Sequence, residues 1–99
     1  MEEIIYLNNL YDLYGCLLTD KQRDYFEDYY QNDLSLSEMA INNDVSRNAI
    51  HKQLKETVKI LKNYEEKLKL FEKNGKIIEV ISKIDDVKIR EDLERIIEG

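Results

Sequence analysis

LSEMAINNDVSRNAIHKQL, residues 36–54, reads as two short helices joined by a tight turn. Ser35 precedes the first helix and Ser46 the second, each able to accept a hydrogen bond from an otherwise unpaired backbone N–H. Glu38, three residues after Ser35, completes a capping box. Met39 and Ala40 are expected to face inward on the first helix, Val45 to close the turn, and Ile50 and Leu54 to hold the second helix against the first. Ala40 is small where the helices cross, and a larger side chain would force them apart. This is the spacing of a helix-turn-helix, whose second helix enters a nucleic-acid groove. Two positions depart from the usual pattern: Asn43 stands where an apolar residue normally packs, and Asp44 where the turn normally has Gly. Asp44 still fits, because short polar side chains tolerate the left-handed backbone conformation.

Working outward, the 99 residues make one domain with a single core, residues 1–99. The chain has no proline, three glycines and 36% charged residues, a composition that favours long amphipathic helices over sheets. No uncharged run reaches the length of a membrane span, and MEEIIYL lacks the basic start and processing site of a secretory signal. A cytoplasmic protein with no membrane insertion is expected. Cys16 has no second cysteine to pair with and lies in an apolar GCLL context, so a small buried residue is expected there rather than a nucleophile.

The net charge of −6 argues against indiscriminate nucleic-acid binding, but its distribution is uneven. Residues 1–45 hold ten acids and two bases, residues 46–73 eight bases and four acids, and residues 74–99 five bases and seven acids. The positive charge therefore sits on the second helix of the motif and its continuation. Such a stripe suits contact with phosphates, although lysine also serves helix solubility, and Glu56, Glu65, Glu66 and Glu72 dilute it.

Residues 3–31 read as a pair of helices. In the first, Ile4, Leu7, Leu10 or Tyr11, and Tyr14 recur at helical spacing, and Gly15 can end it in a left-handed cap. Leu17 and Leu18 then bring the chain into the core, and Thr19 with Gln22 forms another capping box. In the second, Tyr25, Phe26, Tyr29 and Tyr30 form a broad aromatic face, better explained by core packing than by base stacking. After the motif at 35–54, no proline or glycine interrupts residues 46–73, so the recognition helix is expected to continue to the Asn74–Gly75 break. Leu54, Leu61 and Leu68 stand seven apart, as do Ile50, Thr57, Tyr64 and Phe71, giving a heptad seam. The seam can pack within the chain or on a second copy; packing within the chain with a modest homodimer contact is expected. Residues 76–98 read as two short amphipathic helices, the last capped by Asp85 or Asp86 with Ile89, Leu93, Ile96 and Ile97 on one face. The fold class is all-α, a helical bundle containing a helix-turn-helix.

The inventory offers little for catalysis. His51 is the only histidine, no glycine-rich loop can cradle a phosphate, and no second His or Cys stands at ligand spacing. No enzyme activity, metal or cofactor is expected. Binding is better supported, because Ser46, Arg47, Asn48, His51, Lys52 and Lys55 lie on the outward face of the second motif helix, with Lys59 beyond. Arg47 and Asn48 occupy its first turn, where groove-reading helices contact base edges. Lys52, Lys55 and Lys59 suit phosphates. Ser46 can bond a phosphate or simply cap, and His51 is recommended by its position alone.

Tyr14, Gly15, Leu17, Leu18, Thr19, Lys21 and Gln22, followed by Asp33 to Glu38 and Ala40, Val45 to Arg47 and Ala49, and Tyr64 to Leu68, together resemble the YlxM family of small bacterial helix-turn-helix proteins. The resemblance covers about residues 6–71, and Asn43 departs from it. The family's motif is similar to the DNA-binding fourth region of sigma factors, and its genes lie beside that of the signal recognition particle GTPase. The resemblance therefore implies a regulatory or accessory role in protein targeting, with the particle's RNA or its GTPase as partner. A dimeric duplex-DNA regulator is the alternative, and a protein-interaction module without nucleic acid a third reading.

Overall fold

The capping signals become hydrogen bonds in the computed structural model, which describes residues 2–99. Thr19 Oγ1 accepts from the Gln22 backbone N–H at 3.2 Å while Gln22 Oε1 accepts from the Thr19 N–H at 3.0 Å. Ser35 and Glu38 make the same reciprocal pair at 3.1 Å each way. The described residues form six α-helices, α1 (Glu2–Tyr14), α2 (Asp20–Tyr30), α3 (Leu36–Asn43), α4 (Arg47–Leu68), α5 (Leu70–Ile81) and α6 (Val87–Glu98), with a 3-10 turn at Gly15–Leu17. No strand occurs among the described residues, so the fold is all-α: a helical bundle whose recognition helix continues into one long helix, with two short helices closing the chain. The chain forms two compact units, the first ending at Leu68 and the second spanning Lys69–Gly99.

In the first unit, α4 is the element on which α1, α2 and α3 all pack. It buries Ile50, Leu54, Thr57, Leu61 and Glu65, at steps of three and four along one face. Ile50 and Leu54 join Tyr25, Met39 and Ala40 in one cluster; Leu61 joins Leu7, Leu10, Tyr14, Leu18 and Phe26 in another. Removing side chains the size of Leu10, Phe26, Met39, Ile50 or Leu61 from water contributes about 1.5–3 kcal/mol each. Thr57 lies fully buried between the two groups, and its hydroxyl donates to the Gln53 carbonyl at 2.9 Å, so the polar residue in the seam leaves no unpaired atom. Glu65 ends the seam with its carboxylate accepting from the Tyr14 hydroxyl at 2.7 Å, a buried tie across 51 positions.

The aromatic residues of α1 and α2 pack ring on ring. Tyr11 stacks on Phe26 with centroids 4.4 Å apart, Phe26 meets Tyr30 at 4.7 Å, and Tyr14 stacks on Tyr64 at 5.8 Å. The Tyr11 hydroxyl also donates to the Glu27 carboxylate. These contacts correct the expectation for Gly15, which is not in a left-handed cap. It starts the 3-10 turn, and a Cβ there would sit 3.0 Å from the Tyr11 ring, tight enough that the ring would have to shift by a few tenths of an ångström. Side chains three apart share a side of a 3-10 turn. Gly15 and Leu18 therefore face inward, while Leu17 and Cys16 are exposed, contrary to the burial expected of both.

The long helix also ends earlier than expected. It stops at Leu68, and Lys69 adopts the left-handed conformation with φ 55°. Glu65 is the last buried residue of α4, and Leu68 is 49% exposed. Asn74 and Gly75 fall inside α5 instead of breaking a helix, with open space where a Cβ would stand on Gly75. In the second unit α5 and α6 pair around Ile81, which is buried. Asp86 supplies the cap of α6, its carboxylate accepting from the Ile89 N–H at 3.1 Å, and Arg90 donates to the Ile84 carbonyl at 3.2 Å.

Tyr14→Phe removes a buried donor from the Glu65 carboxylate and is expected to lower unfolding free energy by about 1–3 kcal/mol in urea titrations; a change within error would mean that the bond contributes nothing. Burial, then the Glu27 hydrogen bond, raises the Tyr11 phenol above its ordinary 10.0 while Arg23 opposes the shift, and burial also raises Tyr30. The stability that these phenols contribute is fully present below the unfolded pKa of about 10 and is lost as pH rises through the raised folded values. Thermal midpoints measured between pH 8 and about 11 should fall in the upper part of that range, less steeply in Tyr11→Phe. A flat profile would contradict the assignment.

Candidate nucleic-acid interface

The geometry of residues 35–54 comes from three backbone features. α3 ends at Asp44, whose φ of 53° and ψ of 46° place it in the left-handed region, as its short side chain allows. Its N–H and that of Val45 return to carbonyls at the end of α3, Val45 to Ala40 at 3.0 Å. Val45 thus closes the turn through its backbone, with its side chain exposed. Ser46 Oγ then accepts the Ala49 N–H at 3.1 Å, starting α4. Asn43 does not enter the small core; it is exposed, and its Nδ2 donates to the Met39 carbonyl at 2.7 Å. The departure from an apolar residue is met by local hydrogen bonding, and the core is made by Met39, Ala40, Ile50 and Leu54, all buried.

With that face of α4 buried, the opposite face is set. Arg47, Asn48, His51, Lys52, Lys55 and Lys59 are all exposed and fall on one side of α4, within an arc of roughly 140° at 3.6 residues per turn. From Ser46 to Lys59 the row is about 20 Å long at 1.5 Å per residue. Ser46 is exposed, and its hydroxyl oxygen is engaged as the cap. Among the described residues, none of Arg47, Lys52, Lys55 and Lys59 lies within 4.0 Å of a carboxylate, so the four cations are not neutralised by ion pairs. Lys62, farther along the helix, is paired with Glu3 at 2.9 Å. Asp44 stands at the head of the row and Glu56 at its edge, and they are the nearest acids in the sequence. The seven candidate residues are thus brought together, six on α4 and Ser46 as its cap.

Beside this row is a feature that the sequence did not single out. A cleft of about 300 Å³ opens between α2, the start of α3 and α4, lined by Tyr29, Tyr30, Leu36, His51, Leu54, Lys55 and Val58. Tyr29, expected within the buried aromatic face, is 37% exposed. Helical spacing puts Tyr29 between Tyr25 and Phe26 within that face, so the sequence carried no signal of its exposure. Among the described residues no group of three His, Cys, Asp or Glu side chains is arranged to hold a metal ion, and no helix is long and apolar enough to cross a membrane.

Residues 1–98 match the family model described as "Putative helix-turn-helix protein, YlxM / p13 like". The UPF0122 protein FN1394 of Fusobacterium nucleatum is 42% identical over 99 residues, covering 100% of this chain and 96% of that protein. The UPF0122 protein TTE1463 of Caldanaerobacter subterraneus is 44% identical over 85 residues, 86% of this chain and 73% of the relative. The UPF0122 protein BH2485 of Halalkalibacterium halodurans is 39% identical over 103 aligned positions, 100% of this chain and 94% of the relative. With its capped helix-turn-helix and a match over nearly its whole length, the chain belongs to the UPF0122 family of YlxM / p13-like helix-turn-helix proteins.

Proposed function

We propose that this protein is a non-enzymatic regulatory or accessory component of the signal recognition particle pathway that binds nucleic acid through α4. The observation that carries the nucleic-acid part is the row of unpaired cations on the exposed face of a helix-turn-helix second helix. In this reading Arg47 and Asn48 meet base edges from the first turn, Lys52, Lys55 and Lys59 neutralise phosphates, Ser46 caps the helix beside the backbone, and His51 adds a donor between them. The pathway is what the family resemblance implies, with the particle's RNA or its GTPase as partner. The acidic residues 1–45 offer charge complementary to a basic protein, a surface the GTPase could meet.

A second reading, a dimeric regulator of duplex DNA, is favoured by the helix itself. The B-DNA major groove admits an α-helix, whereas that of duplex RNA is too deep and narrow to be read by side chains. Two copies on a two-fold axis would then require half-sites about one helical turn apart.

The deciding experiment measures binding of the full chain to signal recognition particle RNA, to the assembled RNA–GTPase particle and to random duplex DNA, each at several salt concentrations. Binding to the particle or its RNA above random DNA is expected. The Lys52→Ala/Lys55→Ala double variant should flatten the salt slope by roughly 1.4–1.8, the contribution of two phosphate contacts. Binding to DNA alone would overturn the pathway role. Where base reading occurs, Arg47→Ala should cost about 1–3 kcal/mol at one base position; unchanged discrimination among sequences would remove Arg47 from it.

A further inference from the structure

The cleft beside α4 has the chemistry of a nucleotide site. Its lining combines Tyr29 and Tyr30 with the half-buried Leu36, the buried Leu54, and the exposed His51 and Lys55, which stand one helical turn apart. Tyr29 is not a loose side chain. It meets Tyr30 edge to face at 4.9 Å, and Tyr30 is braced against the buried Phe26 at 4.7 Å, so the exposed ring is anchored to the core. A flat aromatic surface held in advance loses little freedom when a planar ligand stacks on it. Among the described residues Tyr29 is the tyrosine left most accessible, where Tyr14 and Tyr25 are buried.

We propose that this cleft takes one unstacked nucleobase, set against Tyr29, while Lys55 and His51 hold the adjoining phosphate. The inference rests on the nucleic-acid reading above and deepens it: the favoured partner carries an unpaired nucleotide, such as a bulge, loop or strand end. Continuity supports this occupant, because His51 and Lys55 belong both to the cationic row of α4 and to the lining of the cleft. A backbone following that row passes the cleft, where a base turned out of its stack meets aromatic and aliphatic side chains. Bases stacked on aromatic side chains beside cationic groups are the general means of binding unpaired nucleotides. A fully paired strand cannot fill the site, since its bases remain in their own stack.

The test compares two probes, a fully paired duplex and the same duplex with one unpaired 2-aminopurine nucleotide, each made in DNA and in RNA so that the sugar preference is read separately. The bulged probe is expected to bind about tenfold more tightly than the paired one, and its 2-aminopurine emission to be quenched on binding, in one backbone or both. Tyr29→Ala should reduce the preference by fivefold or more and restore the emission, whereas Tyr29→Phe, which keeps the ring, should retain both. Lys55→Gln, at an exposed position that does not threaten folding, should weaken the bulged complex and flatten its salt slope by about 0.7–0.9. Equal affinity for the two probes, or a preference and quenching that persist in folded Tyr29→Ala, would overturn the cleft assignment while leaving helix-based binding in place. Failure of every probe to bind would overturn both. Arg47→Ala separates the two ideas further, since it should weaken paired and bulged probes alike.

Discussion

The buried seam of Ile50, Leu54, Thr57 and Leu61 is the contact on which the first unit depends. The three helices α1, α2 and α3 all pack on α4. Because both hydrophobic clusters draw on it, the helix cannot rotate about its axis without exposing core residues on one side and burying charges on the other. The outward face is thereby fixed by the inward one. The direction of Arg47, Asn48, Lys52, Lys55 and Lys59 is a consequence of packing more than 10 Å of helix, and not of any contact these side chains make for themselves.

Polar groups within the seam reinforce that constraint. Thr57 returns its hydroxyl to the preceding turn and Glu65 takes the Tyr14 hydroxyl, so neither leaves an unpaired side-chain atom in the interior. A displaced register would part Glu65 from Tyr14, whereas the Thr57 bond lies within its own helix and would persist; the penalty for an unsatisfied buried group exceeds the gain from a satisfied one. The Tyr14–Glu65 pair thus favours one alignment of α1 along α4. The same logic governs the aromatic contacts, since the Tyr11 ring lies against the space where Gly15 has no side chain.

The second unit is built differently. Lys69–Gly99 is shorter than the roughly 40 residues below which a lone hydrophobic core is usually inadequate. Among its residues Ile81 is buried, while Ile78, Val80, Val87, Ile89 and Ile96 are exposed by about half or more. Caps at Asp86 and hydrogen bonds in the turn define the two helices locally, but apolar burial contributes less here than in the first unit.

Local order was legible in the sequence because its signals are short-ranged. The hydroxyls of Thr19, Ser35 and Ser46, the partners Gln22 and Glu38, and Asp44 at the turn act within four residues, and each makes the bond that its position requires. The 3.6-residue recurrence of apolar side chains likewise determined which face of α4 would be buried, and hence which residues form the candidate face. The tertiary structure alone decided what depends on a neighbour being present or absent. α4 ends at Leu68, just past its last buried residue and with no breaker residue there; Gly15 lies against the Tyr11 ring and is not in a left-handed cap; Asn43 turned to its own helix where a core position was expected. The exposure of Tyr29 belongs to the same class, because helical periodicity assigns a side chain to a face, whereas only the arrangement of α2, α3 and α4 determines how far a neighbour covers it.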